Sequence, residues 1–162
     1  MIVLARIDDR LIHGQVTVGW SRFLDIEKIV VLSDDIVHDD MQKSLLAMAV
    51  PESADFDVDS VAGVAAKLAH PEYTSCRTLL LAASPSEFRR LVVEFGFRLP
   101  EVNVGGQRYA AGTRKVCDGV LLTDEAYADL CALRDAGVFV EVRMIPSHDK
   151  KDLFKLYPGD RA

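Results

Sequence analysis

The chain has 162 residues, 49% of them hydrophobic and 27% charged, which is too apolar for a disordered polypeptide and enough for one domain with a packed core. Nineteen Lys plus Arg against 25 Asp plus Glu leave a net charge of −6, so no chain-wide positive field exists to draw in nucleic acid or anionic lipid. The N-terminus reaches charge at Arg6 and no run of 18 apolar residues occurs, so the chain is expected neither to span a membrane nor to be exported.

In chain order, Ile2 to Ile7 reads as a strand and about Gln15 to Leu24 as the helix that follows it. Lys28 to Leu32 is a second strand. Asp39 caps a helix with Gln42 three residues on, Met41, Leu45 and Met48 form its apolar stripe, and Pro51 ends it. Ala54 to Val58 reads as a shorter strand, and Asp59 or Ser60 caps a helix carrying Val61, Val64 and Leu68. After the strand Thr78 to Ala83 comes Ser84-Pro85-Ser86-Glu87, with serine as N-cap, proline in the first helical position and glutamate in the third. Phe88, Leu91, Val92 and Phe95 form the stripe of that helix, which Gly96 ends. Glu101 to Val104, Val116 to Leu122 and Val138 to Met144 are the remaining strands, with Thr123 and Gly137 bracketing a helix that turns Tyr127, Leu130 and Leu133 inward. A short helix within Ser147 to Ala162, stopped by Pro158, presents Lys150, Lys151 and Lys155 to solvent. Several strands are apolar on consecutive residues and most gaps hold a crossover helix. The expected architecture is therefore α/β: one domain, residues 1–162, with an open, mostly parallel twisted sheet covered by helices on both faces.

Polar groups gather where the first strand ends. Asp8-Asp9-Arg10-Leu11-Ile12-His13-Gly14-Gln15 places charges and an imidazole at a strand's carboxyl end, the edge where open α/β sheets bind ligands. A neutral imidazole is both nucleophile and base. A phosphoryl group on His13 would face the amides near Gly14 and Gln15, Arg10 could neutralise its oxygens, and Gly14 leaves room for close approach. The competing reading makes Asp8 or Asp9 a turn cap, Arg10 half of a surface ion pair and His13 a hydrogen-bonded loop residue. A metal site at His13, Asp8 and Asp9 is disfavoured because no second histidine lies at helical ligand spacing, and no cofactor is called for.

Asn103-Val104-Gly105-Gly106-Gln107 fits neither GxGxxG nor a Walker loop, so its glycines read as a tight turn or as an anion-binding concavity. Cys76, Cys117 and Cys131 are odd in number, far apart and without a CxxC pair, which argues against disulfides and zinc and fits a reducing cytoplasm. His38, His70 and His148 read as exposed loop or cap residues. Trp20 and Phe23 are expected in the core, although with Phe154 they are also candidates for contact with a protein partner or another copy of the chain.

The run Arg6-Ile7-Asp8-Asp9-Arg10-Leu11-Ile12-His13-Gly14-Gln15-Val16 closely resembles the signature of mannose/sorbose-type IIB subunits of the bacterial phosphoenolpyruvate:sugar phosphotransferase system. Ser33-Asp34-Asp35, Asn103-Val104-Gly105-Gly106 and Val142-Arg143-Met144-Ile145-Pro146 extend the resemblance over nearly the whole chain. It implies a cytoplasmic phosphocarrier in which His13 takes a phosphoryl group from a phosphohistidine of IIA, without a metal. The carrier then passes that group to a sugar held by the membrane IIC and IID subunits. It makes Arg10 the residue that stabilises the phosphoryl group and marks Nδ1 as the reactive nitrogen; Asp8 or Asp9 is the candidate for orienting the imidazole or Arg10. Ser33, Gly105 and Gly106 are rim candidates at neighbouring strand ends. With no fused IIA segment in this sequence, the donor is expected to be a separate polypeptide, and association with the membrane to run through protein partners. A regulatory module using the same phosphorylated surface, and a small-ligand-binding protein with no phosphorylation, are the alternatives.

Overall fold

The computed structural model describes residues 1–159. Its first half comprises β1 (Ile2–Ile7), a wide-turned helix Gln15–Trp20 that tightens into α1 (Ser21–Phe23), β2 (Lys28–Leu32), a single turn Ile36–His38, α2 (Asp40–Ala49), β3 (Asp55–Asp59), α3 (Val61–Lys67), α4 (Pro71–Thr74) and β4 (Thr78–Ala82). The second half adds α5 (Pro85–Arg89) with a wide-turned continuation Arg90–Glu94, β5 (Glu101–Val104), the hairpin β6 (Arg114–Cys117) and β7 (Val120–Leu122), α6 (Asp124–Asp135), β8 (Phe139–Val142), β9 (Lys151–Asp152) and α7 (Leu153–Leu156). Seven strands form one sheet in the order β3-β2-β4-β1-β5-β8-β9, parallel except for the edge pair of β8 and β9.

Alternation along the central strands feeds two cores. Ala5, Ile7, Leu80, Ala82, Val102, Val104, Val140 and Val142 join Val64, Phe88, Leu91, Leu130 and Leu133 on one face. Leu4, Ile29, Val31, Leu79 and Leu81 join Val16, Trp20 and Ile36 on the other. The helices start where their caps say they should. Asp39 accepts from the Gln42 amide at 2.9 Å, Ser60 from Gly63 at 3.0 Å and Thr123 from Ala126 at 3.1 Å. Gly96 and Gly137 end two of them at φ +67° and +89°, the left-handed geometry that only glycine adopts without penalty.

Four expectations are corrected. Val116 to Leu122 is not one strand of the main sheet but most of an antiparallel hairpin lying apart from it. The turn is Asp118-Gly119, with Gly119 at φ +83°, a pairing that favours a tight two-residue reversal. Met41, Leu45 and Met48 face solvent at 74%, 61% and 83% exposure; α2 packs instead through Leu46, with Val50 just beyond its end. Phe23 is 62% exposed, whereas Trp20 is fully buried as expected. Phe95, placed on the stripe of its helix, is also exposed. In the C-terminal stretch Leu153–Leu156 is helical and the chain leaves the helix before Pro158; the part of that segment beyond residue 159 lies outside the described residues.

The connection leaving β1 runs toward β2 on one side of the sheet, while the one leaving β5 runs toward β8 on the other. This reversal opens a crevice at the carboxyl ends of β1 and β5. The charged loop after Ile7 and the glycine loop after Val104 meet there.

A candidate phosphoryl-transfer site

Asp8 is the first residue beyond β1, and its N–H is held by Ala82 C=O at 2.9 Å, which extends the ladder one step and buries the carboxylate completely. Its Oδ2 takes the Arg6 Nη2 donor at 2.7 Å, an ion pair with neither partner exposed. Its Oδ1 takes the Arg10 amide at 3.2 Å, closing an Asx-type turn. The Leu11 amide returns to Asp8 C=O at 2.9 Å, which requires Leu11 to sit at φ +53°. That conformation costs a leucine about 1–2 kcal/mol, offset by burial of its side chain. The turn throws the chain back so that His13 comes over Asp8.

His13 Nε2 lies 3.0 Å from Asp8 Oδ2, sealed from solvent, with the ring N–H not aligned on the oxygen. The His13 side chain keeps 16% exposure, which leaves Nδ1 as the ring nitrogen on the open side. Burial by itself would raise the Asp8 carboxyl, but the Arg6 guanidinium, with His13, outweighs it and holds Asp8 below the usual carboxylate range. Asp8 is thus a fixed anion under the imidazole at neutral pH.

Arg10 is more open. Its side chain is 41% exposed, its Nη2 donates to Gln15 Oε1 at 3.1 Å, and its Nε lies 3.5 Å from Asp8 Oδ1. Gly14 is in right-handed helical conformation, and a Cβ there would meet nothing within 4 Å. Thr17 N–H donates to His13 C=O, so the amides of residues 14 to 16 precede the first intrahelical bond and are free of helical partners. Wide-turned segments such as Gln15–Trp20 recur at functional sites.

The remaining candidates occupy supporting places. Asp9 Oδ2 accepts from the Arg108 amide at 2.8 Å and from its Nε at 2.9 Å, while the Asp9 amide donates to Gly106 C=O at 3.1 Å. Asp9 therefore fastens the glycine loop to the end of β1, and its bonds go to Arg108 and Gly106 while the carboxylate at His13 is that of Asp8. Gly105 is a glycine because a Cβ would lie 2.3 Å from the Arg6 guanidinium; at Gly106 it would lie 3.1 Å from Arg10 Nη2. Neither has a positive φ, so what they give is room for two guanidinia. Ser33 stands after β2, two strands from β1, where its hydroxyl accepts from the Ile36 amide at 3.1 Å. At roughly 5 Å per strand it is about 10 Å from the imidazole's strand. His38, His70 and His148 are exposed.

Residue-by-residue reading of the sequence missed Asn103, Glu141 and Arg143. Asn103 and Glu141 are buried between valines on β5 and β8, and Arg143 stacks on Trp20 at 4.7 Å. The signal was available: a polar residue flanked by Val102 and Val104, and another by Val140 and Val142, on strands covered on both faces.

The model of the "PTS system sorbose subfamily IIB component" family matches residues 2–161. The chain belongs to this family. It is 36% identical over 155 residues to the fructose-specific EIIB component of Bacillus subtilis (strain 168), covering 96% of this chain and 94% of that one. It is 34% identical to the mannose-specific EIIAB component of Escherichia coli (strain K12), of which it spans 48%. Among solved structures, a phosphoenolpyruvate-dependent phosphotransferase system protein superposes with a TM-score of 0.89 at 35% identity, each chain covered to 97%. The IIBSor domain of the sorbose permease from Klebsiella pneumoniae gives a TM-score of 0.89 at 28% identity, with 98% of this chain and 96% of that one covered. IIB components accept a phosphoryl group from IIA and transfer it to a sugar together with IIC and IID, so the chain is a phosphotransferase component of sugar transport. No helix among the described residues is long and apolar enough to cross a membrane.

Proposed function

We propose that this IIB chain acts as a single cytoplasmic domain that carries the phosphoryl group on His13 Nδ1. It would take the group from a phosphohistidine of IIA and deliver it to a sugar hydroxyl held by membrane IIC and IID subunits, as a protein-histidine:sugar phosphotransferase. One observation carries the reading: Nε2 of His13 is buried against a carboxylate that Arg6 keeps ionised, while Nδ1 is on the open side.

The chemistry follows from that geometry. Asp8 favours the tautomer with the proton on Nε2, which leaves the Nδ1 lone pair available. As Nδ1 bonds to phosphorus in line, the bond from phosphorus to the donor imidazole breaks and the donor leaves as a neutral ring. The His13 ring becomes a phosphorylated imidazolium whose positive charge faces Asp8. The half-exposed Arg10, held near the opening by Gln15 and accommodated by Gly106, is placed to meet the equatorial oxygens, with the free amides of residues 14 to 16 at the same opening. Transfer between two histidines is nearly symmetric in nucleophile and leaving group, so the protein contributes position and charge. Asp9, Gly105 and Gly106 support the site through loop packing.

Incubating the full chain with its cognate phosphorylated IIA tests this. Acid-labile label is expected on His13 and none on a His13→Ala variant; label retained by that variant would overturn the assignment.

A further inference from the structure

Arg6, Asn103 and Glu141 stand side by side in register across β1, β5 and β8. All three are buried, Glu141 completely, on the sheet face that carries Trp20. Glu141 Oε1 accepts from Asn103 Nδ2 and from Arg143 Nη2, each at 3.0 Å. Asn103 Oδ1 accepts from Arg6 Nη1, and Arg6 Nη2 donates to Asp8. The Arg143 C=O accepts from both Arg6 Nη1 and Asn103 Nδ2, and the Trp20 ring lies 5.4 Å from the Arg6 guanidinium and 4.7 Å from that of Arg143.

Stability does not account for this row. Taking Arg6 and Glu141, with their partners Asp8 and Arg143, out of water is costly, and apolar replacement of such a buried set is often neutral or stabilising. The row also leaves Glu141 Oε2, Arg6 Nε and Arg143 Nε buried without a hydrogen-bond partner. Burial pushes the Glu141 carboxyl up, against the pull of Arg143 and Asn103. What Glu141 supplies is direction. An ionised carboxylate only accepts, so it joins the Arg6 donor and the Arg143 C=O in holding the Asn103 amide with Nδ2 toward itself and Oδ1 toward Arg6.

We propose that Glu141 is a positioning residue for phosphoryl transfer: it fixes Asn103 and Arg143, and through Arg6 holds Asp8 where Asp8 orients His13. This rests on His13 as the phosphoryl acceptor. Glu141→Gln keeps the shape but removes the charge that faces Asn103 and Arg143, and can set an amide N–H against the Asn103 Nδ2 donor. Asn103→Leu cuts the same chain one strand closer to the site.

The full chain, both variants and Glu101→Gln as a surface control are compared by transfer rate from phosphorylated IIA, by thermal unfolding and by nitrogen NMR of the His13 ring. The expected result is folded variants about tenfold slower than the parent, with His13 signals moved toward mixed tautomers and the control unchanged. Folded Glu141→Gln and Asn103→Leu chains with parental rates and parental His13 signals would overturn the proposal. A Glu141→Gln chain that does not fold would also overturn it, by making the row a folding element. If the parent chain is labelled elsewhere than on His13, the underlying site reading fails, a result separable from failure of the Glu141 step alone.

Discussion

The two faces of β1, β5 and β8 are built from alternate residues of the same short strands and solve opposite problems. One face buries Ala5, Ile7, Val102, Val104, Val140 and Val142 against α5 and α6. The other buries Arg6, Asn103 and Glu141 beneath Trp20. The first gains free energy from apolar area removed from water, tolerates small shifts and specifies no direction. The second buries charges at a cost and fixes directions, ending at the imidazole. The apolar face therefore supplies the net gain in stability, while the intact polar face adds little to it and sets where His13 points.

That division can be broken most severely at Asp8. Asp8→Asn should slow transfer at least a hundredfold, because the ring loses its fixed anion and its tautomer preference. It should also cost about 3–5 kcal/mol, because Arg6 is left buried without its carboxylate; chemical denaturation and single-turnover transfer measure the two effects. Arg10→Ala should slow transfer by about a hundredfold with almost no change in melting temperature, since Arg10 sits at the solvent edge. Leu80→Ala, in the apolar layer beside β1, should lower stability by about 2–5 kcal/mol yet leave the rate per folded molecule unchanged. A large rate loss in that variant would show that the two faces are not separable.

Acid sharpens the same comparison. The Asp8 carboxyl is held below its ordinary range in the folded chain, so its contribution to stability is complete above that range and is lost as pH falls through the lower folded value. A pH series of unfolding should show an acid-side loss that Asp8→Asn lacks.

Much of this was legible in the residues. The strands alternate with capped helices, Gly96 and Gly137 stop two of them, and a histidine with charges at the end of β1 marks the site by position alone. Three features were missed, for physical reasons. The apolar stripe of Met41, Leu45 and Met48 satisfies helical periodicity equally well whether it faces a core or solvent. Cys117-Asp118-Gly119-Val120 hid a hairpin inside an apolar run whose length suited one strand. Glu141 looked like an interruption in a valine strand because its partner Asn103 becomes a neighbour only through the parallel pairing of β5 and β8. Asp9 and Asp8, adjacent in sequence, separate in role because one ends under the imidazole and the other reaches Arg108.

The central claim is that His13 offers Nδ1 while Asp8 occupies Nε2. Nitrogen and phosphorus NMR of the phosphorylated, nitrogen-labelled chain tests it directly. The account predicts a one-bond phosphorus coupling to His13 Nδ1 with the proton retained on Nε2; coupling to Nε2, or to a ring other than His13, would contradict it.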